Sequence, residues 1–276
     1  MALKKLALGP TKAAACSIKG GRPNNEDAAF YCLQKSIIEG RSMYRFVGVV
    51  ADGVGGQAKG EIASRIAVNI IGPYILYQLV ISNEGISSKT AENIVQNAYE
   101  KANEEIRKFS YSNPRSSGMA TTATTVVVQE RRDSVELWVG HVGDSRAYML
   151  TGKGMIPLTR DHTLIQEMID KKQITPEEAI YHPARRVLTK ALGVPDWKPE
   201  FNIHDLKEPF LILVCSDGLV HRLRKEEIHT YIIKNHRRVG YTNTLKSLFD
   251  IALERGESDN ITAILAGPFH SRPFTD

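Results

Sequence analysis

Four aspartates, Asp52, Asp144, Asp217 and Asp259, stand at the ends of apolar, strand-forming runs, and Asp52 and Asp217 are each followed directly by glycine. A strand that ends in a carboxylate delivers it to a fixed point. Glycine beside it lets backbone come close and exposes carbonyl oxygens as further ligands. The loop Gly20-Gly-Arg22-Pro-Asn-Asn-Glu26-Asp27 adds two more acids and an arginine of the kind that clamps a phosphate. Any one of these features alone is an ordinary turn; together they point to one shared site. Clustered carboxylates cannot all ionise cheaply unless a cation neutralises them. The three cysteines, Cys16, Cys32 and Cys215, lie in no metal-ligand spacing, and there is no His-x-His or His-Glu-x-x-His pair. An all-oxygen donor set favours magnesium or manganese over zinc. A two-metal centre of that kind suits hydrolysis of a phosphate ester by metal-activated water. The lack of a Walker loop argues against nucleotide-driven phosphoryl transfer.

The elements that must position these groups are legible as hydrophobic patterns. The β-branched run from Phe46 to Ala51 predicts a buried strand ending at Asp52. Residues 12 to 19 and 27 to 33 predict two short strands joined by the Arg22 loop, for which a hairpin turn is the plain alternative. Residues 118 to 128 are almost pure strand formers. Residues 135 to 140 and 147 to 150 read as an antiparallel pair about the tight turn Gly143-Asp-Ser-Arg146, and 210 to 216 and 261 to 266 as two further strands. Ile62, Ile66 and Ile70 recur at helical spacing until Gly72-Pro73 interrupts them. Ile94, Val95, Ala98, Ala102 and Ile106 share one helical face, with a cap among Ser87, Ser88 and Thr90. Two more helices are expected around 225 to 234 and 243 to 255, the second closed by Gly256. Residues 158 to 193 are irregular, with a short helix at Leu164 to Ile169 and a capping box at Thr175-Pro-Glu-Glu178. They read as a surface lid in which His162 and His182 cap or pack.

Composition bounds the rest. A chain of 276 residues, 42% hydrophobic, with no marked linker, reads as one domain. The formal charge of +5 is dispersed, so nucleic acid is not an expected partner. The cysteines sit in strand-like segments and read as buried free thiols of a reducing compartment. No run approaches the roughly 20 apolar residues of a membrane span, so the expectation is a cytoplasmic protein.

The ordered motifs Arg22-Pro-Asn-Asn-Glu26-Asp27, Asp52-Gly-Val-Gly-Gly56, Gly118-Met-Ala-Thr-Thr122, Val142-Gly-Asp144-Ser-Arg146, Leu158-Thr-Arg-Asp-His162, His182-Pro183, Leu188-Thr-Lys-Ala-Leu-Gly193, Cys215-Ser-Asp217-Gly218 and Ser258-Asp259-Asn260 resemble those of the metal-dependent protein phosphatase family, protein phosphatase 2C, in its compact bacterial form. The resemblance covers residues 12 to 267, with tails at 1–11 and 268–276. It implies an α+β fold, a four-layer αββα sandwich of two antiparallel sheets flanked by helix pairs, with a flap at about 160–191. It further implies that Asp52 bridges two Mn2+ or Mg2+ ions, that Asp217 and Asp259 hold the first, and that the Gly53 carbonyl joins the second. Asp144 with Asp217 would form a third, weaker site. Glu26 and Asp27 would orient water, and Arg22 would clamp the substrate phosphate.

The activity so implied is serine/threonine protein phosphatase. Its partners would be phosphoserine and phosphothreonine proteins and a cognate Ser/Thr kinase, and the chain would be a monomer. Where many eukaryotic members carry a histidine after Asp-Gly, this chain has Val54, which cannot donate a proton. Water and His162 are the candidate donors in its place. Two other readings stay open on sequence: a non-catalytic phosphoprotein binder and a phosphohydrolase of small esters.

Overall fold

Alternation along the strands sorts side chains into three cores, and the three cores fix four layers. On the strand Phe210–Cys215, Phe210, Ile212 and Val214 face one core, while Leu211, Leu213 and Cys215 face another. On the run that ends at Asp52, Phe46 and Val50 join the first of these, and Val47, Val49 and Ala51 enter a third. A strand covered on both faces has no polar face to present, so these runs read as continuously apolar.

The computed structural model describes residues 11–38, 41–54, 59–82, 86–131, 134–179 and 182–270. Its strands are β1 (Lys12–Ile18), β2 (Asp27–Ile38), β3 (Arg41–Val54), β4 (Ala120–Thr121), β5 (Ala123–Glu130), β6 (Val135–Val142), β7 (Arg146–Thr151), β8 (Gly154–Pro157), β9 (Glu200–Leu206), β10 (Phe210–Cys215) and β11 (Ile261–Phe269). One antiparallel sheet runs β1-β11-β10-β7-β8. The other runs β2-β3-β5-β6-β9, with β4 paired to β3. The helices are α1 (Gly60–Ile81), α2 (Ser88–Ser112), α3 (Leu164–Asp170), α4 (Pro176–Ala179), α5 (Lys225–Asn235) and α6 (Tyr241–Glu254). Helices α1 and α2 cover the second sheet, α5 and α6 the first, and the middle core lies between the sheets, where Phe46 and Phe269 meet at a ring-centroid distance of 5.8 Å. This is the expected αββα sandwich.

Several expectations need correction. The segments at 135–140 and 147–150 are strands but not a hairpin. Both edges of β6 are taken, by β5 and β9, and both edges of β7 by β10 and β8, so the turn at Asp144 crosses from one sheet to the other. The Arg22 loop likewise joins β1 of one sheet to β2 of the other rather than closing a hairpin. Gly72-Pro73 does not interrupt the first helix, which continues to Ile81. A proline in a helix interior costs about 3 kcal/mol, but full burial of Ile71, Ile75 and Leu79 contributes roughly 1.5–3 kcal/mol each. Gly72 serves that packing, because a Cβ there would stand 2.1 Å from the ring of Phe30.

Residues 268 and 269 are not tail. They complete β11, and Thr11 Oγ1 donates to the Pro268 carbonyl at 2.9 Å. β8 and β9 carry weak patterns and had no counterpart in the sequence reading. Of the cysteines only Cys215 is fully buried. Cys16 and Cys32 lie on the edge strands β1 and β2 and are half-buried.

The caps fall where expected. The Ser87 side chain accepts from the Thr90 amide at 3.1 Å. Thr175 and Glu178 form their reciprocal box, and Gly256 follows α6 at φ 83°. Among the described helices α1 is long and apolar enough to cross a membrane, but Ala63, Ala67, Ile71, Ile75 and Leu79 are fully buried against the sheet, which makes it a core helix.

Candidate metal centre

Strand direction alone gathers the acids at one end of the sandwich. Asp27 opens β2 directly opposite Asp52, which closes β3. Cys215, at the end of β10, pairs with Ala263 near the start of β11 and with Arg146 at the start of β7. Asp217, Asp259 and Asp144 therefore leave their strands at the same end, and the Arg22 loop leaves β1 there, where Ile18 pairs with Ile261.

Backbone bonds fix the two residues at the middle of this end. The Asp52 amide donates to Thr122 Oγ1 at 2.9 Å, and its carbonyl accepts from the Thr122 amide and Thr121 Oγ1, both at 2.9 Å. The Gly53 amide donates to the Glu26 carbonyl at 3.1 Å. A Cβ on Gly53 would stand 2.2 Å from the Gly60 carbonyl oxygen and 2.7 Å from that of Glu26, so only glycine lets β3, the Arg22 loop and the start of α1 meet. The sequence reading assigned this freedom to the approach of a ligand; in the structure it also serves close packing of three backbone segments. Gly55 and Gly56 lie outside the described residues.

Electrostatics show that the carboxylates share one environment. The Asp52 carboxyl is held well above the usual range, first by burial and then by the charges of Asp27, Asp217, Asp144 and Asp259. Burial and the Asp217 charge lift Asp27 to about 6, against a Ser216 hydroxyl that donates to its Oδ2 at 2.8 Å. Burial, Asp217 and Asp161 lift Asp144 to about 8. Glu26 is raised by burial and by Glu61. Asp217 moves the other way: burial pushes it up, but the bond from His221 and the charges of His221 and Arg146 outweigh that.

Cations close the rim. Arg22 Nη2 donates to Asp259 Oδ2 at 2.8 Å, and Arg186 Nη1 from the 158–193 segment lies 3.5 Å from the same oxygen. His221 Nε2 stands 3.1 Å from Asp217 Oδ2, and its Nδ1 stands 3.4 Å from Glu257 Oε2. With Asp259 and Asp217 so engaged, no three Asp, Glu, His or Cys side chains among the described residues are arranged to hold an ion as they stand.

Even so, the donor chemistry fits a hard divalent cation. The candidate donors are oxygens, and Asp27 Oδ1 and Asp217 Oδ1 are buried without a hydrogen-bond partner among the described residues. The raised carboxyls are those a cation would relieve of mutual repulsion.

His162 stands apart from this group. Its Nδ1 accepts from the Gly143 amide at 3.0 Å, its Nε2 lies 2.9 Å from Glu200 Oε1, and its ring stacks on His141 at 4.7 Å. Its backbone bonds to Gly143 and Thr189 tie the flap to the turn that carries Asp144.

The sequence reading gave no role to Ser216, Asn260, His221 or Arg186. Asn260 is the hub of the Arg22 loop: its Oδ1 accepts from the Glu26 amide at 2.9 Å, and its Nδ2 donates to the Lys19 and Asn24 carbonyls. Ser216 and Asn260 lie inside quoted motifs, and His221 follows Asp217 by four residues, one turn of a helix further on; those were the available signals.

A two-sheet sandwich with helix pairs outside and an acidic centre at one end defines a class of fold and site together. The family model described as Protein phosphatase 2C matches residues 18–266, and the chain belongs to that family. It is 31% identical over 228 residues to the "Serine/threonine phosphatase stp" of Listeria monocytogenes serotype 4b, covering 79% of this chain and 82% of that protein. The crystal structure of the Mycobacterium tuberculosis serine/threonine phosphatase PstP/Ppp superposes with a TM-score of 0.74 at 28% identity, over 94% of this chain and 99% of that one. The catalytic domain of PstP in complex with 2 manganese ions gives a TM-score of 0.71 at 27% identity, over 93% and 97%.

Proposed function

We propose that the chain hydrolyses phosphoserine and phosphothreonine in proteins at a binuclear Mn2+ or Mg2+ centre, reversing the action of a Ser/Thr kinase. The observation that carries this reading is the gathering of Asp52, half-buried, with Asp27, Asp217, Asp144 and Asp259 at one end of the sandwich, where their charges raise its carboxyl. Asp52, Asp217, Asp259 and the Gly53 carbonyl would hold the two ions, and Asp144 with Asp217 a third, weaker one. When bound, the ions would activate water and offset negative charge on the phosphoryl oxygens.

The chain's own groups supply positioning. Arg22, exposed on 44% of its side chain, already reaches across the centre to Asp259, and its planar fork suits two phosphoryl oxygens once that carboxylate is engaged elsewhere. Asp27, held by Ser216, and Glu26, held through its amide by Asn260, orient the attacking water. Val54 offers no proton, and both ring nitrogens of His162 face protein partners. On this reading His162 would hold the flap and solvent would be the donor to the leaving alkoxide.

The test is phosphate release from a phosphothreonine peptide with Mn2+, compared with excess chelator and with Asp52→Asn. Release abolished by both supports the reading. Release that survives both overturns it, as does metal binding without cleavage of any phosphoester.

A further inference from the structure

Beside the acidic centre lies a second cavity of about 610 Å3, walled on one side by the start of β7 and the strap that follows β8, and on the other by residues 220–226 leading into α5. Its charge is the opposite of the centre's. Arg146, Arg160, Arg222, Arg224 and Lys225 line it, against only Asp161 and Glu226. Asp161 is consumed by Arg146, which grips it with Nε at 2.8 Å and Nη2 at 2.6 Å. Of the remaining cations, Arg222, Arg224 and Lys225 are loosely held. The closest acid to Arg222 is Glu257, at 3.8 Å from its Nε. Arg224 Nε lies 3.5 Å from Glu227, and Lys225 has no ion pair among the described residues. Arg160 is the exception, closely paired with Asp170, which does not line the cavity. A concave wall of one sign focuses its field into the cavity and draws in anions.

The cavity is not remote from the chemistry. His221 lines it and also contacts Asp217, and the charge of Arg146 is felt by both Asp144 and Asp217. A group in the cavity therefore sits one side chain away from the acidic centre, on the Asp217 side. The volume lies within the range that takes a small ligand or one or two side chains.

We propose that this cavity is an anion subsite that holds an acidic or phosphorylated side chain of the substrate protein, flanking the phosphoresidue under attack. The proposal rests on the phosphatase reading for its substrate, and it adds a selectivity that the metal centre cannot supply, because that centre reads only the phosphate.

The experiment compares three substrates of the metal-loaded protein: a phosphothreonine peptide with alanine flanks, the same peptide with aspartates on both sides, and an aryl phosphate. Each is measured with the parent and with the double variant Arg222→Gln, Lys225→Gln. Expected is a preference of about tenfold in kcat/KM for the acidic peptide, carried by KM, falling to about twofold or less in the variant. A loosely screened ion pair or two contributes on that scale. Aryl phosphate turnover, which needs no flanking side chain, should change less than about twofold and reports that the variant is folded.

A parent with no preference overturns the proposal, and so does a preference that survives the double substitution. So does inhibition by free inorganic phosphate that weakens in the variant without any flank preference, since the cavity would then take the free ion. If no phosphoester is cleaved, the phosphatase reading fails separately, and fluorescence anisotropy of the two peptides decides the cavity alone. Tighter, salt-sensitive binding of the acidic peptide that the variant loses supports the subsite; equal binding refutes it.

Discussion

Replacing Gly53 by alanine tests the packing that aims Asp52. The added Cβ would stand 2.2 Å from the Gly60 carbonyl oxygen, whereas ordinary contact starts at 3.4 Å, so the two segments must part by about 1.2 Å. Neither obstacle is a side chain that can rotate away: both Gly60 O and Glu26 O are backbone, and the second is already bonded to the Gly53 amide. Overpacking of this kind costs about 1–3 kcal/mol where a core can relax. With backbone on both sides the upper end, about 3 kcal/mol, is expected. For a chain of this length each kcal/mol lowers Tm by about 2–4 °C, which gives a fall of about 6–12 °C. Because the displaced backbone carries the Asp52 carboxyl and the Gly53 carbonyl, Mn2+ affinity should also fall by at least about tenfold. Thermal melts with and without Mn2+, together with a Mn2+ titration, measure both effects. A Gly53→Ala protein that melts within about 2 °C of the parent and binds Mn2+ equally would refute the claim that this contact sets the centre.

Three more outcomes follow from the same geometry. Arg22→Ala should raise KM for a phosphothreonine peptide by about tenfold or more, the scale of a charge-assisted phosphate contact, with a smaller effect on Mn2+ affinity; steady-state kinetics reads the split. Ser216→Ala removes the hydroxyl that donates to Asp27 and accepts from the Thr262 amide at 3.0 Å, leaving both without that partner, so a loss of about 1–3 kcal/mol is expected in denaturant titration. Unfolded carboxyls lose their protons near about 4, but folded Asp27 keeps its proton to about 6 and Asp144 to about 8. The folded metal-free protein binds more protons in that window, so its stability falls as pH rises from about 4 to about 8. Metal needs those protons gone, so stabilisation by Mn2+ should be larger at about pH 8 than at about pH 5, as melts of chelated and loaded protein at the two pH values would show.

The carboxylates were legible because each ends a strand, and a strand end is a local signal. The paths between them were not. A turn such as Gly143 to Arg146 has the same residues whether it closes a hairpin or crosses between sheets. Only the full set of edge partners of β6 and β7 decides the matter. Gly72-Pro73 misled for a related reason: the local cost of proline is visible in the sequence, whereas the burial that outweighs it belongs to the tertiary structure. β9 was missed because only Phe201, Ile203 and Leu206 are half-buried, a broken alternation, and three of its seven residues are charged or histidine. At the site, acids announced themselves by type and spacing. Their supports, Ser216 under Asp27 and Asn260 under Glu26, are uncharged residues whose roles arise from contacts across 189 and 234 positions of chain. His221 belongs to this chain's own sequence after Asp217-Gly218 and became visible only when its ring was found between Asp217 and Glu257.

The most direct measurement of the central claim is calorimetric titration of Mn2+ into the chelator-stripped protein at about pH 8, for the parent and for Asp52→Asn. The account predicts about two ions bound per parent chain, and loss of at least one of them when the shared carboxylate becomes an amide. A parent that binds no Mn2+, or an Asp52→Asn protein that binds it with unchanged number and affinity, would contradict the assignment of this end of the sandwich as a metal centre.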